Sequence, residues 1–206
     1  MSWSTNAASA LVLAALIGST PLAAQGVRAQ LGIGGSFAVP TSFYRAVPDA
    51  GDGFKPALHG LALVDLKLPK TPIGVRLDVG TGRNSANDSL KSHLSAAVSA
   101  PTDAKTNLVG VIADMTYNLR PASVARGYLL AGIGFYNVKF SVTSNRVTVD
   151  TSTTKFAWNV GGGLTVGAGA VAWFLEARYL DVGAFSDIKP TVLATTTGIR
   201  LGIGGH

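Results

Sequence analysis

The 206-residue chain is 47% hydrophobic and 14% charged, with a formal net charge of +6 and no cysteine. Soluble domains carry roughly a quarter charged residues, so a positive mean hydropathy of +0.33 points away from a water-exposed globule. The Lys and Arg residues are dispersed and form no basic block, which argues against a nucleic-acid partner, and the lack of cysteine excludes a disulfide framework or a thiolate metal site.

The N-terminal stretch MSWSTNAASALVLAALIGSTPLAAQG has an apolar run from Ala8 to Ile17, then Gly18 and Pro21, then Ala23-Ala24 before Gln25. This pattern predicts a signal peptide over residues 1–24 with cleavage after Ala24, leaving residues 25–206 as one domain. Beyond it, Gly, Asp, Arg, Lys and Thr interrupt every apolar run, so no segment reaches the roughly 18 apolar residues of a spanning helix. A membrane location therefore requires strands.

Alternation of apolar and polar residues predicts strands near residues 29–39, 57–68, 72–80, 106–119, 127–140, 154–166, 171–182 and 190–203. Their connections are expected to alternate in length. PTSFYRAVPDAGDGF is long, and Lys70 marks a tight turn. Residues 81–105 form the longest link, RPASVAR is shorter, SVTSNRVTVDTST is long again, and GAGA at 167–170 is a turn. Prolines 40, 48, 72, 101, 121 and 190 all fall at strand ends or in connections. The pattern is that of an all-β, eight-stranded, antiparallel, transmembrane up-and-down β-barrel, with its long links on the outside.

The composition of the second face then separates a membrane barrel from a soluble one. In PIGVRLDVG, Ile73, Val75, Leu77 and Val79 alternate with Gly74, Arg76, Asp78 and Gly80. In FLEARYLDV, Phe174, Glu176, Arg178 and Leu180 share one face and Trp173, Leu175, Ala177 and Tyr179 the other. A water-facing side would be rich in Lys and Glu, whereas this one is mostly small, with few charges of both signs, as a narrow lumen requires. Inward candidates are Lys67, Arg76, Arg178 and Arg200 against Asp65, Asp78, Asp114 and Glu176, and desolvated charges are tolerable when paired. These eight are expected to form a lumen charge network. Tyr117 and Trp173 near the turn end, with Phe156, Trp158 and Tyr179 nearer the loop end, are expected to form two outward aromatic girdles. The repeated LGIGG at 31–35 and 201–205 lies in the first and last strands, which must pair to close the barrel.

GYLLAGIGFYNVKF followed by WNVGGGLTVGAGAVAWFLEARYLDV resembles the C-terminal half of small outer-membrane barrels of the OmpA-like, OmpX-like and opacity-type group. That resemblance implies a monomeric barrel in the outer membrane of a Gram-negative-type bacterium. It also implies lipid and lipopolysaccharide around it, insertion by the outer-membrane assembly machinery, and a surface ligand met through the long loops. Its roles would range over envelope integrity, adhesion and small-solute passage. Members often end on an aromatic residue read by that machinery, whereas this chain ends LGIGGH.

Other chemistry finds little support. His59, His93 and His206 are too scattered for a metal cluster, and the glycine runs GIGGSF and GGGLTVGAG lack the dinucleotide fingerprint, so no cofactor or metal is expected. Some outer-membrane barrels are lipid-modifying hydrolases, and SHLS offers His93 and Ser95, but no positioned acid accompanies them and no catalytic residue is assigned. Phe43, Tyr44 and Arg45 read as an interfacial anchor at the end of the first strand.

Overall fold

A computed structural model describes residues 28–41, 53–119, 125–168, 170–184 and 190–203. The expected signal peptide and the Phe43–Tyr44–Arg45 cluster lie outside the described residues. Eight antiparallel strands close into one barrel in chain order: β1 Arg28–Pro40, β2 Ala57–Lys67, β3 Ile73–Ser85, β4 Thr102–Asn118, β5 Ala125–Ser144, β6 Val147–Ala168, β7 Val171–Val182 and β8 Thr191–Ile203. Closure is made by β1 against β8, from Ala29↔Ile203 to Pro40↔Val192. The two LGIGG segments meet there only at their leucines, Leu31↔Leu201, because antiparallel pairing runs them in opposite directions.

The barrel is built inside out relative to a soluble protein. Ile33, Met115 and Ile133 are 63%, 64% and 60% exposed, while Arg76 and Glu176 are 0% and 1% exposed. Period-two alternation produces both faces from one sequence, and so broad an apolar exterior requires an apolar solvent.

Two expected long connections are instead structured. Residues 81–105 do not form a loop: β3 continues to Ser85, helix α1 spans Asp88–Val98, and β4 begins at Thr102. Asn87 caps the helix by accepting from the Leu90 N–H at 2.9 Å, and Ser99 in the left-handed region closes it, with the Ala100 N–H donating to the Ser95 carbonyl at 3.1 Å. Residues 141–153 are also not a loop. β5 and β6 run on to a two-residue turn at Asn145 and Arg146, whose φ values of 49° and 68° are the pair a type I′ turn needs.

These extensions make β4, β5 and β6 17, 20 and 22 residues long, more than the roughly 9 to 11 a tilted strand needs to cross a bilayer. The described part of β7 pairs with β6 from Ala157 onward, and the Gly183 N–H donates to the Phe156 carbonyl at 2.8 Å, so residues 147–155 have no strand partner on that edge among the described residues. At the opposite end the β2–β3 link is short, with Lys70 in its turn at φ 61°.

Candidate functional site

The lumen holds two layers of different chemistry. Toward the loop end it is apolar: Leu108, Ile112, Tyr136, Val138, Leu180 and Val192 pack together, and Leu90 and Leu94 of α1 join them from above. Phe54 and Phe140 meet edge to face there, with ring centroids 6.3 Å apart. Toward the turn end the interior is ionic.

Register explains how the charges come together. Asp65, Arg76 and Asp114 are successive cross-strand partners on β2, β3 and β4, so their signs alternate around the wall. β7 lies four strands from β3 on the opposite wall, and its Glu176 and Arg178 reach across. Arg76 donates to Asp78 from Nε at 2.6 Å and from Nη2 at 2.8 Å, and to Glu176 from Nη1 at 2.6 Å. Arg178 Nη2 donates to Asp78 Oδ2 at 2.6 Å and to Glu176 Oε1 at 2.7 Å. Each guanidinium thus serves both carboxylates, and planar forks saturate the oxygens in a way single ammonium groups would not.

The remaining candidates are arranged around this quartet. Asp114 Oδ2 lies 3.8 Å from Arg178 Nη1, and its carboxylate has no hydrogen-bond partner among the described residues. Arg200 donates to Asp65 at 3.1 Å and to the Tyr128 hydroxyl at 2.8 Å, and that hydroxyl donates to Glu176 Oε2 at 2.8 Å. Arg200 is also sandwiched by the rings of Tyr128 and Phe174, at 4.8 and 4.7 Å from their centroids. Lys67 stands apart: it is half-buried at the turn-end mouth and makes no ion pair among the described residues. Tyr128 and Phe174 are members of this cluster that the charge pattern does not reveal. The signal was their phase, since Phe174 shares the inward face with Glu176 and Tyr128 shares it with Leu130.

The five outward aromatics divide between the two ends. Tyr117 and Trp173 are exposed near the turn end of β4 and β7. Trp158 stacks obliquely on half-exposed Tyr179 with centroids 5.5 Å apart, and Phe156 meets Phe135 edge to face at 6.0 Å. Phe135 and Phe37, both exposed, extend the outward aromatic set.

His93 and Ser95 fall on α1 two positions apart, a spacing that does not bring helical side chains together. Ser95 Oγ accepts from the Thr102 N–H at 2.9 Å. Among the described residues no group of three or more His, Asp or Glu side chains could hold a metal ion.

Residues 10–204 match the model of the outer membrane protein beta-barrel domain family. The chain belongs to that family. It is therefore a protein of the bacterial outer membrane, and its apolar exterior faces lipid. Solved structures agree on the fold of this family member. Neisserial surface protein A is 17% identical with a TM-score of 0.54, covering 85% of this chain and 96% of that one. A major outer membrane protein from Thermus thermophilus is 12% identical with a TM-score of 0.57, covering 86% and 99%. The N-terminal barrel domain of Pseudomonas aeruginosa OprF is 13% identical with a TM-score of 0.51, covering 85% and 97%. Among curated proteins, none matches the sequence.

Proposed function

We propose that this outer-membrane barrel has a structural or surface-presenting role, in envelope integrity or adhesion, and that its lumen is plugged. The observation that carries the reading is the bridge between opposite walls. Arg76 on β3 and Arg178 on β7 share Asp78 and Glu176, so the ion pairs cross the axis of the barrel. Moving an ion through would require parting four desolvated charges, each costly to leave unpaired. The apolar layer under α1 adds a second obstruction.

Surface presentation is supported by the β4–β6 extension, whose rim displays Thr143, Arg146, Thr148 and Asp150 around a strand edge with no partner among the described residues. In this reading the barrel is a monomer, inserted by the assembly machinery, anchored by its aromatic girdles and bordered by lipopolysaccharide, with a surface ligand met at the loop end. It is not an enzyme. Small-solute passage is the second reading, favoured by the Asp114 and Asn159 side chains, which have no hydrogen-bond partners among the described residues and flank Gly132 on the lumen wall.

Planar-bilayer recording of the purified protein separates the two. A plugged lumen conducts no stable, reproducible current, whereas reproducible unitary channels would establish passage and make the same charges pore-lining groups.

A further inference from the structure

From the positions around the turn-end mouth, we infer that Arg28, Lys67 and Arg126, above Arg200, form a binding site for a phosphate-type oxyanion. Strand phase turns all three toward the axis: Arg28 shares the face of buried Gly32 and Ser36, Lys67 that of Leu63 and Asp65, and Arg126 that of Tyr128. Arg28 and Lys67 are direct cross-strand partners, while Arg126 comes from β5, four strands round the ring from β1. Cations thus converge on the mouth from opposite walls.

Their counter-charge is short. Lys67 lies within the electrostatic reach of three cations, Arg28, Arg126 and Arg200, and of the Asp65 carboxylate. Asp65 Oδ2 accepts from Arg200 Nη1 at 3.1 Å while its Oδ1 has no hydrogen-bond partner among the described residues, and the other described acids of the turn-end half, Asp78, Asp114 and Glu176, belong to the deeper cluster. The deepest member points independently to a ligand: Arg200 is 2% exposed, and its Nε has no hydrogen-bond partner among the described residues. Like charges around a narrow, partly desolvated mouth repel, and a polyvalent anion with several acceptor oxygens relieves that repulsion where chloride does so weakly. The site is independent of whether the lumen conducts.

The test uses the full protein in a nonionic detergent, with sodium pyrophosphate as probe and sodium chloride at matched ionic strength as reference. Calorimetric titration should show saturable pyrophosphate binding, weakened at least about tenfold in the Lys67→Gln/Arg126→Gln double variant and unchanged in Lys139→Gln at the far end. Folding of the variants is checked by strand-rich circular dichroism. Removing cations that have no ion pair among the described residues should leave their unfolding midpoint at or above that of the parent. Adding phosphatidylglycerol identifies the natural source of the phosphoryl group: competition assigns it to a lipid headgroup, and its absence to a soluble anion. Binding no stronger than the chloride reference, or equal binding by the folded double variant, overturns the site.

Discussion

Arg76 and Glu176 are 100 residues apart in sequence and on opposite walls of the barrel, yet the Arg76 Nη1 donates to Glu176 Oε2 at 2.6 Å with both side chains fully buried. This contact turns a hollow sheet into a cross-braced one. Glu176→Gln leaves Arg76 and Arg178 sharing Asp78 as their principal carboxylate, and breaking a buried pair from one side costs about 3 kcal/mol or more. Replacing Arg178 by Met as well removes the surplus cation, so the double variant should recover part of the loss. Urea unfolding in detergent micelles of both singles and the double measures the coupling. Additive effects, each below about 1 kcal/mol, would mean the charges are hydrated as at a surface.

Above that brace, Tyr136 lies over glycines. Its ring covers the positions where a Cβ of Gly110 or Gly80 would project, and Gly110 is its register partner. Gly110→Ala should therefore push the ring off its seat and destabilise the barrel by roughly 1–3 kcal/mol, as overpacking does. Tyr136→Leu in the same background should rescue part of that loss, because the smaller side chain vacates the space. Urea unfolding again reads it, and a Gly110→Ala barrel as stable as the parent would place the ring elsewhere.

Strand existence was legible in the sequence because parity is a property of the residues alone: Ile73, Val75 and Leu77 against Gly74, Arg76 and Asp78 needs no tertiary information. The same parity groups Glu176 with Arg178. Which guanidinium meets which carboxylate depends on register and on which strands face each other, and those are set by the closed ring. Helix α1 was hidden by its Ser-, Asn- and Asp-rich surroundings, although Asn87 before Asp88 is an N-cap signal. The hairpin tip was hidden for a different reason. A type I′ turn is usually announced by Asn-Gly, and here the second position is Arg146. The apolar upper lumen was overlooked because Leu108 and Ile112 share the phase of Asp114 and Thr116, so one strand face changes from oil to charge partway along.

The topology is testable by labelling. The chain has no native cysteine, so single cysteines report cleanly. Arg146→Cys, at the tip of the projecting hairpin, should react with a membrane-impermeant maleimide on intact cells. Lys70→Cys, in the exposed turn between β2 and β3, should react only after the outer membrane is permeabilised. The reverse pattern would invert the barrel.

Helix α1 sits on the loop-end mouth and is tied there at the surface by Lys55, whose Nζ donates to Asp88 Oδ1 at 2.9 Å. That hydrogen bond, reinforced by the charge of Lys55, holds the Asp88 carboxyl below its ordinary value of 3.8. A carboxyl with a depressed value when folded binds its proton more readily when released. Its contribution is therefore complete above the unfolded value near 3.8 and is lost as pH falls through the lower folded value. The tie should loosen below about pH 4 and be insensitive between pH 5 and 8. Because Asp88 is fully exposed, salt should weaken the tie as acid does. Leu90 is buried in the apolar layer, so acid should loosen the N-terminal turn while leaving the helix docked. Hydrogen exchange, corrected for the intrinsic effect of pH, should show the amides of residues 88–91 losing protection between pH 5 and 3 in the parent. In Asp88→Asn the protection of those amides should be lower at pH 5 and no longer change with pH. Acid-dependent loss of protection persisting in Asp88→Asn would place the titrating group elsewhere.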